Sequence, residues 1–154
     1  MNTVAYSLLH DTGRALCFVG RTKYNDMLYN YWSQVRPSIQ VTIEQALSQN
    51  QSWFDQHQFI CAVSNVGFKY EVTAQLQSFN PHYFSVIGTG NLFSNVQIGQ
   101  GTFIQHHNTA VCDNIVIGDH CTLGAYINLS HDTKIGNCCH VSAYGFFNLS
   151  LIHI

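Results

Sequence analysis

Histidine is the side chain best suited to taking up and releasing a proton near neutral pH, and nine of the 154 residues are histidines. Most need no function beyond packing or solvation. His131 differs because Leu129-Ser-His-Asp132 is expected to form an outward corner, where a small molecule can reach the ring. A neutral imidazole there can remove the proton of an attacking amine or hydroxyl, and the carboxylate of Asp132 can stabilise the imidazolium that forms. Adjacent residues point apart on a flat strand, so this contact requires the corner geometry itself or a neighbouring subunit. His140 lies one residue before Val141. A second place where chemistry could occur is Val19-Gly-Arg-Thr-Lys-Tyr-Asn25, where a single glycine between a strand and a helix, with Arg21 and Lys23, gives a weak phosphate-binding signal.

The element that must position His131 is a repeat. Aliphatic or aromatic residues return every sixth position as Leu92, Ile98 and Ile104, then after one extra residue as Val111, Ile117, Leu123, Leu129, Ile135, Val141 and Phe147. Four residues after most of these markers stands a small or aliphatic residue: Val96, Thr102, Ile115, Cys121, Ile127, Thr133 and Cys139. Neither the α-helical period nor the period of a strand produces this spacing. A parallel β-helix does, since each hexad makes one flat side and one corner and three hexads close a coil. Leu129 should then stack on Val111, Ile135 on Ile117, Val141 on Leu123 and Cys139 on Cys121, at about the ordinary strand spacing of 4.8 Å. Glycine follows the marker at Gly99, Gly118, Gly124 and Gly136, where a sharp corner is expected to need backbone angles that a side chain obstructs. The competing reading, unrelated short strands in an antiparallel sandwich, leaves so many phased markers unexplained.

Ile98-Gly-Gln-Gly-Thr-Phe103, Ile117-Gly-Asp-His-Cys-Thr122 and the run Leu129 to Ser142 resemble the hexapeptide-repeat acyltransferases. More narrowly, they are similar to the bacterial branch that acetylates sialic acid or nucleotide-linked amino sugars. That pattern has a His-acid pair on one corner, then Ile-Gly, then a second His before a small-residue turn. The match is close over about the last third of the chain and elsewhere extends only to the layout. The resemblance implies a left-handed coil, a homotrimer and acetyl-CoA as co-substrate. It also implies His131 as general base with Asp132 as its partner, and His140 in contact with the cofactor. One hexad before the His-bearing hexad, where relatives can carry Asn, this chain has Gly124. Two other readings of the same repeat are a non-catalytic trimerisation scaffold and a zinc site like that of the γ-type carbonic anhydrases. The zinc site would need two histidines five residues apart, a spacing that His106, His107, His120, His131 and His140 do not show. No metal is therefore expected.

Ahead of the repeat, Ala15–Val19 and Phe59–Val63 read as buried strands, Ile39–Thr42 as another, and Tyr83–Ile87 as a last strand leading into the coil. Helical spacing runs from Lys23 to Val35 before Pro37, and from Ser64-Asn65 through Val72, Leu76 and Phe79 before Pro81. Thr42-Ile-Glu-Gln45 has the form of a capping box opening a short helix. Strands alternating with helices predict a small parallel α/β unit, Rossmann-like, over residues 1–90, followed by an incomplete left-handed parallel β-helix over 91–148. In the family that this chain resembles, the first unit binds the nucleotide sugar, which makes Gly20, Arg21 and Thr22 candidate substrate-binding residues.

Charged residues make up only 9% of the chain and the formal charge is −2, which leaves no basic footprint for nucleic acid. No apolar run approaches the ~20 residues of a membrane span. The opening residues lack the basic start and unbroken apolar core of a secretion signal, so the protein is expected in the cytoplasm. The six cysteines are expected to be small core residues, neither disulfides nor metal ligands. The chain stops about three coils into the repeat, whereas related enzymes continue for several more. Leu149-Ser-Leu-Ile-His-Ile154 resembles the translation of a sequencing adapter, so residues 149–154 are expected to be a non-native tail on a truncated, inactive fragment.

Overall fold

Two sequence patterns, helix-strand alternation and then six-residue spacing, correspond to two compact units in the computed structural model, which describes residues 6–110 and 113–147. One unit comprises Met1–Leu9 with Ser85–Ile154, the other His10–Phe84. After β1 (Tyr6–Leu9), the chain forms β2 (Ala15–Val19), α1 (Lys23–Trp32), β3 (Ser38–Val41), α2 (Ile43–Leu47) and α3 (Gln51–Gln56). It continues with β4 (His57–Ile60), α4 (Val66–Leu76), β5 (His82–Tyr83) and β6 (Ser85–Gly88).

Strands β3, β2, β4 and β5 form, in that order, a wholly parallel sheet. Cys17, Val19, Phe59 and Cys61 pack with Val72 and Leu76 of α4 in its core. Helix starts follow the side chains that can satisfy them: Thr22, Asn50 and Asn65 each accept from the third residue of their helix, and Thr42 with Gln45 completes a reciprocal box. Helix α3 is absent from the periodicity because Phe54 is its one buried side chain, held flat against Phe79 at 4.2 Å between ring centroids. The expected strand Tyr83–Ile87 is two strands. β5 pairs with β4, while β6 pairs in parallel with Phe103–Ile104 and antiparallel with β1, which covers its free edge.

The second unit is a three-sided parallel coil. Phe103–Ile104, Thr122–Leu123 and His140–Val141 continue the β6 sheet. Leu92–Phe93, Thr109–Ala110, Asn128–Leu129 and Phe146–Phe147 form the second side, and Val96–Ile98, Ile115–Ile117 and Lys134–Ile135 the third. Ile135 aligns with Ile117 and Val141 with Leu123, as the spacing predicts, and Thr122 N donates to Cys139 O at 2.8 Å, so Cys139 follows Cys121. On the second side the phase differs from the expected one. Phe93 packs on the core while Leu92 is 63% exposed, and Thr109 aligns with Asn128, which puts buried Ala110 in the inward place below Leu129. Val111, the expected marker, lies outside the described residues. The inward series thus runs Phe93, Ile98, Ile104, Ala110, Ile117, one residue short of a hexad between Phe93 and Ile98 and one residue long after Ala110. A hydrophobic period favours Val over Ala, although a methyl group is enough to fill that place.

Nor is the glycine after the marker there for its backbone angles. The left-handed angles belong to corner residues, Asn95, His107, Asn114, His120, Tyr126, Asp132, Cys138 and Tyr144, at φ between 54° and 62°. Gly118 is needed because a Cβ there would stand 2.5 Å from Asn137 Oδ1, whose carbonyl accepts from Asp119 N at 2.9 Å. Its role is to leave room for a coil-to-coil hydrogen bond.

The register makes two stability predictions. Leu92→Ala should change unfolding free energy by less than about 0.5 kcal/mol, and Leu123→Ala should lower it by about 2–5 kcal/mol, both read from denaturant melts. A large loss at Leu92 would mean that the phase on the second side is misassigned.

Candidate functional site

Leu129 and Thr133 are inward and buried, so the intervening Ser130, His131 and Asp132 must turn the corner between two sides of the coil. Thr133 Oγ1 donates to Ser130 O at 2.6 Å across that corner. Ser130 N donates to Phe147 O at 3.0 Å and Asp132 N to Asp113 O at 2.9 Å, tying the corner to the coils on either side. Asp132 is itself the left-handed residue, at φ +60°. That backbone turn brings two sequence neighbours onto one side: His131 Nδ1 lies 2.8 Å from Asp132 Oδ2, with side chains 59% and 46% exposed. Asp132 Oδ1 accepts from Asn114 Nδ2 at 2.8 Å.

The hydrogen bond from His131, followed by that from Asn114, holds the Asp132 carboxyl below the ordinary carboxylate range. Asp132 is therefore ionised near neutral pH. An ionised carboxylate only accepts, so Nδ1 of a neutral His131 carries the proton and Nε2 is left with a free lone pair. An exposed imidazole with its proton fixed on the far nitrogen can act as a base toward a small molecule.

The other candidates lie elsewhere. His140 opens the short strand His140–Val141 and is aligned with Thr122, on the first side of the coil rather than on the His131 corner. Gly20 has φ +99°, and a Cβ there would stand 3.2 Å from Phe68 Cε1. Thr22 caps α1 by accepting from Asn25 N at 3.2 Å and donates its own proton to Ala62 O at 3.1 Å. Arg21 is exposed and donates to Gln40 Oε1 at 3.2 Å. These three residues belong to the other unit.

Two residues of these networks escaped the sequence reading. Asn25 is fully buried; it donates to Val19 O at 2.6 Å and Gly20 O at 3.0 Å and accepts from Ala62 N at 3.0 Å, fastening the loop after β2. Asn114 had a legible signal, since it precedes Asp132 by one eighteen-residue coil. Gly124, where an orienting Asn was sought, has no room for one: a Cβ would stand 2.5 Å from Ala143 N. Among the described residues, no three His, Cys, Asp or Glu side chains are grouped to hold a metal ion, and no helix is long and apolar enough to cross a membrane.

No family model matches the chain, and no curated protein matches it. Solved structures do. The acetyltransferase domain of PglB from Neisseria gonorrhoeae superposes with a TM-score of 0.68 at 15% identity, over 85% of this chain and 72% of that one. The same domain in complex with acetyl coenzyme A gives 0.65 at 15% identity, over 82% and 69%. A histidine-to-asparagine variant of perosamine N-acetyltransferase from Caulobacter crescentus, in complex with CoA and GDP-perosamine, gives 0.57 at 14% identity, over 94% and 92%. At such identities the likeness establishes a shared fold.

Because the Asp132 pKa is lowered, this carboxylate contributes stability that is present above the ordinary carboxylate range and is lost as pH falls through the lowered value. Removing the imidazole with His131→Ala should move the Asp132 midpoint upward, read by carboxyl carbon NMR. An unchanged midpoint would show that the pair does not form in solution.

Proposed function

We propose that the chain carries the acid–base edge of an acetyl-CoA-dependent acetyltransferase acting on an amino or hydroxyl group of a sugar, free or nucleotide-linked. One observation carries the reading: an exposed imidazole, 2.8 Å from a carboxylate that only accepts, at the corner of a coil whose fold is shared with acetyltransferases. In the proposed step Nε2 of His131 takes the proton of the attacking nitrogen or oxygen as its lone pair forms a bond to the thioester carbonyl carbon. The C–S bond then breaks, and the leaving sulfur takes the electron pair and a proton. Asp132 stabilises the imidazolium between these events.

On this reading His140 contacts acetyl-CoA, and Gly20, Arg21 and Thr22 face the nucleotide sugar. Arg21 supplies the exposed charge for a phosphate, because the hydroxyl of Thr22 is already committed to its helix and to Ala62. The coil is left-handed, the assembly is a homotrimer and the compartment is the cytoplasm. The acetyl-CoA complex of the PglB domain and the CoA and GDP-perosamine complex of the Caulobacter enzyme support this choice of co-substrate and acceptor class.

The test is release of CoA thiol from acetyl-CoA with a panel of amino sugars and nucleotide-linked amino sugars, on the 154-residue chain and on any longer reading frame containing it. Acetylated product should form with a longer reading frame, and His131→Ala there should lower kcat by roughly 100-fold or more while leaving the fold intact by circular dichroism. Turnover unaffected by His131→Ala would end the base assignment, and absence of transfer by the longer frame across the panel would favour a scaffold.

A further inference from the structure

Asn114 occupies the same corner as Asp132, one coil lower, and like it has φ +60°. Its Nδ2 donates to Oδ1 of Asp132 at 2.8 Å while Oδ2 faces His131 Nδ1 at 2.8 Å, so the two carboxylate oxygens are divided between two donors. A carboxylate held through one oxygen can still swing about its side-chain bonds. Held through both, its plane is set, and with it the direction from which it can accept the imidazole proton.

We propose that Asn114 is a positioning residue for the His131–Asp132 pair: it orients the carboxylate so that His131 is protonated on Nδ1 and presents Nε2 as the base. This rests on the reading of His131 as general base given above. Asn114 and the imidazole both contribute to keeping Asp132 ionised.

The coil supplies its own control. Asn95 Nδ2 donates to Asp113 Oδ1 at 3.0 Å, another amide-to-carboxylate bridge between coils, made one position earlier because Asp113 precedes the left-handed Asn114, and there the residue before the acid is Cys112. If such bridges serve only to tie coils together, the two should be equivalent. If Asn114 acts through the carboxylate on His131, only its removal should alter the imidazole.

The experiment compares the wild-type chain with Asn114→Gly, Asn114→Asp and Asn95→Gly. Glycine tolerates the left-handed backbone and deletes the donor, and aspartate is tolerated there but turns the donor into a second acceptor. The tautomer of neutral His131 is read from imidazole nitrogen NMR shifts, which need no turnover. Wild type and Asn95→Gly should hold the Nδ1–H form, whereas both Asn114 variants should move a measurable fraction to Nε2–H. In the acetyl-transfer assay the Asn114 variants should lose roughly tenfold in kcat, with KM for acetyl-CoA within twofold. An unchanged tautomer in Asn114→Gly, or an equal change in Asn95→Gly, would overturn the proposal. A protein that transfers no acetyl group yet shows the Asn114-specific tautomer change would refute the acetyltransfer reading and support the positioning role.

Discussion

A chain that turns a corner every six residues, with each coil hydrogen-bonded to the next, needs one left-handed residue per corner. All else in the second unit depends on that constraint. An L-residue in this conformation costs roughly 1–2 kcal/mol, least for Asn, Asp and Gly, and the corners use them at Asn95, Asn114, Asp132, Gly90 and Gly101. Tyr126 and Tyr144 also take it. Their rings stack at 5.2 Å, and Tyr126 in turn stacks on His107 at 5.3 Å, so contact between successive corners offsets part of the backbone cost. Backbone bonds such as Tyr144 N to Ala125 O at 3.0 Å hold the corners in line.

The same constraint produces the candidate site. In an extended strand His131 and Asp132 would project to opposite faces. With Asp132 at φ +60° they meet, and the next corner down delivers the Asn114 amide to the remaining oxygen. The site is built by the repeat: inward Leu129 and Thr133 fix where the corner begins and ends, and the polar residues between them have nowhere to go but outward. The pair is exposed, so its value lies in setting the proton's position on the ring and adds little to stability.

The first unit obeys different rules. Its helices begin where Thr22, Thr42, Asn50 and Asn65 satisfy free backbone N–H groups. Around Gly20 the loop is occupied with its own structure, through Asn25, Thr22 and the Gln40 bonds to Gly20 O and Asp26. Arg21 and Lys23 are the exposed cations there.

The sequence by itself determined the alternation of strands and helices in the first unit, the capping box at Thr42, the three-sided coil and the place of His131 and Asp132 on one corner. These follow from local rules: which side chains cap a helix, which are apolar, and at what interval they return. Only the tertiary structure decided the rest. Ala110 is buried in the inward place below Leu129, and a side chain as small as a methyl group gives a hydrophobic period too weak a signal to assign it there. Gly118 is required by the approach of Asn137 from the next coil, nineteen residues away in the chain. Asn114 reaches Asp132 over eighteen. Contacts between coils join residues that are distant in sequence, and their geometry exists only once the coils are stacked.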